Sequence, residues 1–296
     1  MTTAPAFAAE LGRRLAQEAP GVRAVLFYGS ALRTGARDGV LDFYVLTAKS
    51  PPGLRGLASR LLWPDVSYRE VGDPEGLLRA KIATLTLDQF QRAVRGEGVD
   101  TTVWARFVQP SAMVWAADPV AAGAVELALE QAAQTAAGFA AVLRPGAGPP
   151  AAFWRALFRQ TYAAEFRVEP IGREDGILDV DPARYASLLR EAWDRSGIEV
   201  RVSSNGDLEP VISPRERRRR LRAWWLRRAM GRPLNIARLV KAAFTFDGAA
   251  RYAAWKVERH TGIALQVTPW RERHPVLAAP GALIELWRAR AAKRGV

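Results

Sequence analysis

The chain predicts a mixed α/β (α+β) fold followed by helices, and three observations lead there. Up to about Trp115, apolar runs of strand length alternate with short amphipathic stretches. After Asp118-Pro119 the composition turns Ala-rich and reads as helix through Val142. Beyond Ile212 the chain becomes dense in arginine and tryptophan, as a basic amphipathic tail would. These shifts divide it into an α/β domain over 1–117, a helical domain over 118–232 and a C-terminal helical region over 233–296.

The elements follow in order. Ala6–Glu18 is an amphipathic helix, and it lacks the apolar core of a signal peptide. Val22–Tyr28 and Leu41–Thr47 are apolar strands. Pro51-Pro52-Gly53 breaks the chain before a short helix over Leu54–Leu62. Val66–Val71 alternates as a strand does, and Arg79–Leu85 reads as extended. Leu87–Val94 is a helix that starts at Thr86 or Asp88.

The loop Pro145–Pro150 precedes helices at Ala151–Phe166 and Asp181–Arg195. Ile198–Val202 and Leu208–Ile212 flank Asn205-Gly206, a pair that fits a type I′ hairpin turn. Helices followed by a hairpin predict a winged-helix-like second domain. Ala249–His260 and the apolar-basic stretch Val276–Arg294 complete the chain.

Composition limits the chemistry. The 296 residues are 49% hydrophobic, enough for a substantial core, and carry a net charge of +13. That charge implies an anionic partner: nucleic acid, nucleotide or a phospholipid surface. The absence of cysteine excludes disulfides, thiolate catalysis and Cys-ligated zinc. With only His260 and His274, a His-rich metal site or a Ser-His-Asp triad is not expected. No apolar run reaches membrane-spanning length; Val114–Leu143 comes closest and is interrupted by Asp118, Glu126 and Glu130. The expectation is a cytoplasmic protein, with any membrane contact peripheral and on the inner face.

The stretch Val25–Leu46 carries the clearest chemical signal. A strand ends in Gly29-Ser30, and a second strand opens on Asp42. Nucleotidyltransferases hold a nucleoside triphosphate and its metal with such a pair. Gly29 lets backbone approach a phosphate closely. Ser30 and the following amides would cap a helix facing the anion, and Asp42 supplies a hard oxygen for Mg²⁺. The usual second carboxylate, two residues on, is Tyr44 here. The plain alternative is a β-turn-β unit with Gly in the turn and Asp at a strand edge.

The basic segment Ser213–Arg232, with Trp224-Trp225 in its middle, admits three readings. It can be a solvated helix face, an RNA contact through phosphates and base stacking, or a contact with an anionic bilayer. The apolar-basic Leu283–Arg288 favours the lipid surface over nucleic acid. Glu165 lies near a predicted helix end, where an ion pair with Arg159 or Arg167 would account for it. Lys81 and Lys241, each among apolar residues, are either snorkelling lysines or phosphate ligands.

Taken in order, these segments resemble the mitochondrial-type phosphatidate cytidylyltransferases, the translocator assembly and maintenance protein family. Tyr28-Gly29-Ser30 and Leu41-Asp42-Phe43 look like that family's Tyr-Gly-Ser and Leu/Ile-Asp-Phe pair. Lys81-Ile82-Ala83 is similar to its Lys-Tyr-Gly strand, and Ala105-Arg106 through Pro110 to its Ala-Gly-Arg-x-x-Lys-Pro segment, with Gln109 for Lys. Thr161 to Arg167 resembles Ser-Tyr-x-Gly-Asp-x-Arg with Glu165 for Asp, and Lys241 through Gly248 its Ser-x-Lys-Gly and Thr-Ala-Gly region. The likeness spans about residues 22 to 260. The His and Asn that follow the family's Asp strand have no counterpart around Thr47–Leu62.

The resemblance implies transfer of cytidylyl from CTP to phosphatidic acid, giving CDP-diacylglycerol and pyrophosphate at an anionic membrane surface. Tyr28, Gly29, Ser30 and Lys81 would bind the nucleotide. Asp42 and Glu165 would hold Mg²⁺, and Asp42, Glu165 and Lys241 would serve catalysis. Arg106 and Arg167 would take the triphosphate or the lipid headgroup. An RNA nucleotidyltransferase or RNA-binding protein stays open, as does an inactive module that only docks on membranes.

Overall fold

The structure, a computed structural model, describes residues 2–165 and 173–294. Five strands form one mixed sheet: β1 (Val22–Tyr28), β2 (Val40–Thr47), β3 (Asp65–Asp73), β4 (Gly76–Thr86) and β5 (Ser111–Ala116), in spatial order β3-β4-β2-β1-β5. β2 and β4 pair in parallel; the other pairings are antiparallel. The mixed α/β class predicted from the sequence is the one observed.

The alternation of side chains along each strand separates two cores. Val25, Phe27, Leu41, Phe43, Val45, Ala80 and Ile82 face α1 (Ala6–Glu18). That helix buries Ala8, Leu11, Gly12, Leu15 and Ala16, a three-four spacing that makes one apolar face. A side chain at Gly12 would collide with Val114, so glycine there sets how closely α1 sits on β5. Two shorter helices, α2 (Ser30–Thr34) and α3 (Gly53–Leu61), follow β1 and β2.

The opposite face presents Ala24, Leu26, Tyr44, Leu46, Ala83 and Leu85. It is covered by α4 (Leu87–Val94), α5 (Thr102–Phe107) and α6 (Pro119–Leu143). α4 begins in a capping box: the Gln89 amide donates to Thr86 Oγ1 at 3.1 Å, and the Thr86 amide to Gln89 Oε1 at 2.8 Å.

Behind α6 lie α7 (Pro150–Ala164), α8 (Arg173–Leu178) and α9 (Pro182–Arg195), then the hairpin β6 (Glu199–Val202) and β7 (Leu208–Val211). Tyr44 and Leu46 share one buried cluster with Val125, Phe153, Trp193 and Trp224, so residues from both sides of the 117/118 boundary form a single core. The 232/233 boundary falls inside α10 (Pro214–Thr245), a continuous helix with Pro233 in its interior. α10 is fastened by Trp224, whose ring lies 5.4 Å from Phe139 and 6.5 Å from Trp104. Burial of a side chain that size contributes roughly 2–3 kcal/mol. α11 (Ala249–Thr261), α12 (Pro269–Arg273) and α13 (Pro275–Arg294) follow. No helix among the described residues is long and apolar enough to cross a membrane.

The structure adds α5, β5, α8 and α12 and revises one turn. The last residues of β5, Val114–Ala116, share the Ala-rich composition of α6, which hides the strand in the sequence. In the hairpin, the Gly206 amide donates to Ser203 O and the Ser203 amide to Asp207 O, with Gly206 at φ 84°. The loop is therefore Ser204-Asn205-Gly206, a turn closed by a left-handed glycine, and not a two-residue type I′ turn.

Candidate active site

One row of side chains crosses the sheet at the C-terminal end of β1. Tyr28 pairs with Asp42, Asp42 with Lys81, and Lys81 with Tyr68. Paired residues on neighbouring strands share a face, about 5 Å apart. Tyr28, Asp42 and Lys81 thus lie side by side, and this face is the one covered by α5 and α6. The next row inward is Leu26, Tyr44, Ala83 and Val66, which continues into the core.

Gly29 follows at the edge of the row. It has φ 95° and ψ −164°, a conformation largely reserved for glycine. A Cβ there would sit 3.0 Å from Asp42 Oδ2. Any side chain at this position would therefore crowd the Asp42 carboxylate. Ser30 is the first residue of α2 and is exposed; Gly29 takes the cap position, and no side chain caps the helix. That differs from a serine cap, and with five residues α2 has too few aligned peptides for a strong dipole.

Arg106 from α5 is partly buried behind the row. It donates to the Tyr44 hydroxyl at 2.7 Å, and its guanidinium lies 5.2 Å from the Tyr28 ring centre and 5.8 Å from that of Tyr44. Burial alone would lower its pKa. The surrounding oxygens of Tyr28, Tyr44, Glu165 and Asp42 outweigh burial and hold the group well above its ordinary value. Arg106 is a fixed cation shared by the proposed site carboxylates.

Glu165 stands across from it. Thr101 Oγ1 donates to Glu165 Oε1 at 2.8 Å, and Asn235 Nδ2 on α10 donates to its carbonyl oxygen at 2.7 Å. A cavity of about 20 Å³, lined by Arg106, Glu165, Thr161 and Tyr162 among others, lies between α5 and α7. It has room for about one water.

Tyr252, on α11, closes the row from outside, and the sequence reading missed it. Its ring is 5.3 Å from that of Tyr68 and 6.0 Å from Lys81 Nζ. Burial, and then the neighbouring Asp42 charge, push its hydroxyl pKa up. α11 is held there by backbone: the Tyr68 amide donates to Asp247 O at 2.8 Å, and a side chain at Gly248 would strike Tyr68 O. The only sequence signal was the Asp247-Gly248 pair, which marks a turn but gives no hint that it seats a tyrosine over β4.

Lys241 is placed elsewhere. Its Nζ donates to Leu62 O at 2.6 Å and Pro64 O at 3.2 Å, and pairs with Asp65 Oδ1 at 2.5 Å. Asp65 is three residues along β3 from Tyr68, about 10 Å down the strand from the Asp42 row. Arg167 lies outside the described residues. The structure thus brings together Tyr28, Gly29, Asp42, Lys81 and Arg106, puts Glu165 behind Arg106, and leaves Lys241 in a separate buried pair.

The donor set fits Mg²⁺ in a limited way. Among the described residues, no group of three or more acidic or imidazole side chains could enclose a metal. Mg²⁺ on a nucleotide needs only one or two carboxylates beside phosphate oxygens and water. Asp42, next to Gly29, is the carboxylate that would meet that need. Tyr44, at the usual second position, is committed to Arg106.

No protein-family model and no curated protein matches the chain. Among solved structures it aligns with a nucleotidyltransferase-like protein from Exiguobacterium sibiricum 255-15. The identity is 12%, over 96% of this chain and 91% of that one, with a TM-score of 0.28. The reading of the site rests on its own residues.

Proposed function

We propose that the protein is a nucleotidyltransferase which transfers cytidylyl from CTP to phosphatidic acid at an anionic membrane surface. The observation that carries the nucleotide part is Gly29, a left-handed glycine at which a Cβ would crowd the Asp42 carboxylate, which lies beside Lys81 on the same sheet face. A triphosphate laid along Gly29 and Ser30 would meet Lys81 as a point charge, with Arg106 adding positive potential from behind. Asp42 would hold Mg²⁺, whose part when bound is to neutralise charge on phosphate oxygens.

The lipid phosphate is anionic near neutral pH, so attack on the α-phosphorus with pyrophosphate leaving needs no strong base. Positioning and charge carry the rate. This suits a site whose titratable groups are one carboxylate, tyrosines and fixed cations. The lipid part is supported by the C-terminal surface, where Trp225, Leu239, Phe244, Leu277 and Trp287 are exposed among arginines.

The test is incubation with CTP, Mg²⁺ and phosphatidic acid in mixed micelles, with detection of CDP-diacylglycerol and pyrophosphate. Product that disappears in Asp42→Asn supports the proposal. No product, alongside retained metal-dependent CTP binding, sinks the transfer reaction. A second reading, nucleotide binding without transfer, is favoured by Tyr44, which brings Arg106 to the place of a second metal ligand.

A further inference from the structure

The arginines of Ser213–Arg232 do not all face solvent. Three of them, Arg219, Arg220 and Arg227, turn with Arg95 toward a cavity of about 400 Å³ between α10, α6 and the turn after α4. Thr135 on α6 and Ser196 at the end of α9 complete its polar wall. The cavity is separate from the Asp42 row and has no part in the proposed reaction.

The cavity is built around these cations. Arg227 is 95% buried: it donates to Ala223 O at 2.9 Å and to Gly96 O, and its guanidinium lies 4.8 Å from the Phe139 ring centre. Its Nε is buried with no hydrogen-bond partner, and among the described residues it makes no ion pair. A side chain at Gly138 would overlap the Arg220 guanidinium, and one at Gly96 would press on Thr135 and Arg227. Two glycines thus make room for two arginines.

The charge is only half compensated. Arg95 pairs with Glu97 at 2.6 Å, and Arg219 and Arg220 share Glu216 at 2.8 and 2.7 Å. Four guanidinium groups are set against two carboxylates. A buried cation without a carboxylate partner is costly, and burial lowers the Arg227 pKa, opposed by the charge of Asp100.

We propose that this cavity is a binding site for a small phosphate-class polyanion. Planar guanidinium groups bind phosphate oxygens two at a time. The volume exceeds that of a single phosphate, so a diphosphate, free or as part of a nucleotide, suits it better.

The experiment is calorimetric titration of the whole chain with inorganic pyrophosphate, inorganic phosphate and CTP without metal. Wild type is compared with an Arg219→Gln/Arg220→Gln double variant and with Asp42→Asn. Both arginines lie toward the surface, and circular dichroism checks that the double variant folds. The expected result is pyrophosphate binding that weakens at least tenfold in the double variant and persists in Asp42→Asn, with pyrophosphate also raising the wild-type Tm. Binding of CTP that is tighter than that of pyrophosphate and is lost in the double variant would identify a nucleotide as the source of the diphosphate. Pyrophosphate binding undiminished in the double variant, or no tighter than that of chloride, overturns the site. Because the double variant leaves the Asp42 row untouched, pyrophosphate binding lost in it belongs to this cavity, and failure here is separable from failure of the transferase reading.

Discussion

Arg106 donates a 2.7 Å hydrogen bond to the hydroxyl of Tyr44. Tyr44 lies two residues after Asp42 on the same face of β2, so the arginine occupies a direction from which a second carboxylate would have reached a metal. Tyr44→Phe removes the acceptor and leaves a partly buried guanidinium donor without that partner. The expected cost is about 1–3 kcal/mol of stability, read by urea denaturation. An unchanged midpoint would show that Arg106 is held by its other neighbours alone.

Asp42 and Gly29 are predicted to act through one another. Asp42→Asn preserves shape and removes charge, so it should leave the denaturation midpoint nearly unchanged. Transfer should fall on the order of a thousandfold. Gly29→Ala places a Cβ 3.0 Å from Asp42 Oδ2 at φ 95°. It should cost about 1–3 kcal/mol in backbone strain and reduce nucleotide affinity as well. A Gly29→Ala protein with wild-type stability and CTP affinity would remove the steric argument for this loop.

Much of the fold could be read in the residues, and most of the site could not. Ala6–Glu18, Val22–Tyr28 and Leu87–Val94 were visible because periodicity and caps are local properties. β5 was not, because a short strand pairing on one side beside an Ala-rich helix has no composition of its own. Gly29, Ser30 and Asp42 stood out by spacing. Lys81 and Glu165 were visible as isolated charges without a role, Arg106 came only from a family likeness, and Tyr252 from neither, since α11 reaches the sheet through a backbone contact between Asp247 and Tyr68. The same limit explains Lys241: an isolated lysine among apolar residues looks the same in sequence whether it meets a phosphate or Asp65.

Acid should weaken the packing of α7 against α8 through Glu174. Burial alone would raise its carboxyl pKa, but the hydrogen bond from Arg159 and the attraction of that guanidinium outweigh it and hold the carboxyl below the usual range. A folded pKa below the unfolded one stabilises the protein above the unfolded value, about 4.3, and that stability is lost as pH falls through the folded value. Glu174→Gln should therefore have a lower Tm than wild type at pH 7, with the difference shrinking as pH drops below about 4. A constant difference across that range would mean that packing, and not charge, accounts for the loss.

Lys241 gives the sharpest separation between a structural and a chemical role. Its ammonium ties α10 to the segment before β3 through Leu62 O, Pro64 O and Asp65 Oδ1. Lys241→Met would leave the Asp65 carboxylate and two carbonyls without their cation. Breaking a buried pair from one side costs about 3–5 kcal/mol. Asp65→Asn combined with Lys241→Met should recover part of that loss, because the orphaned charge is gone. If the pair is structural, transfer per folded molecule should be close to wild type in the double variant. If Lys241 instead meets the substrate phosphate, stability should recover in the double variant while turnover stays low.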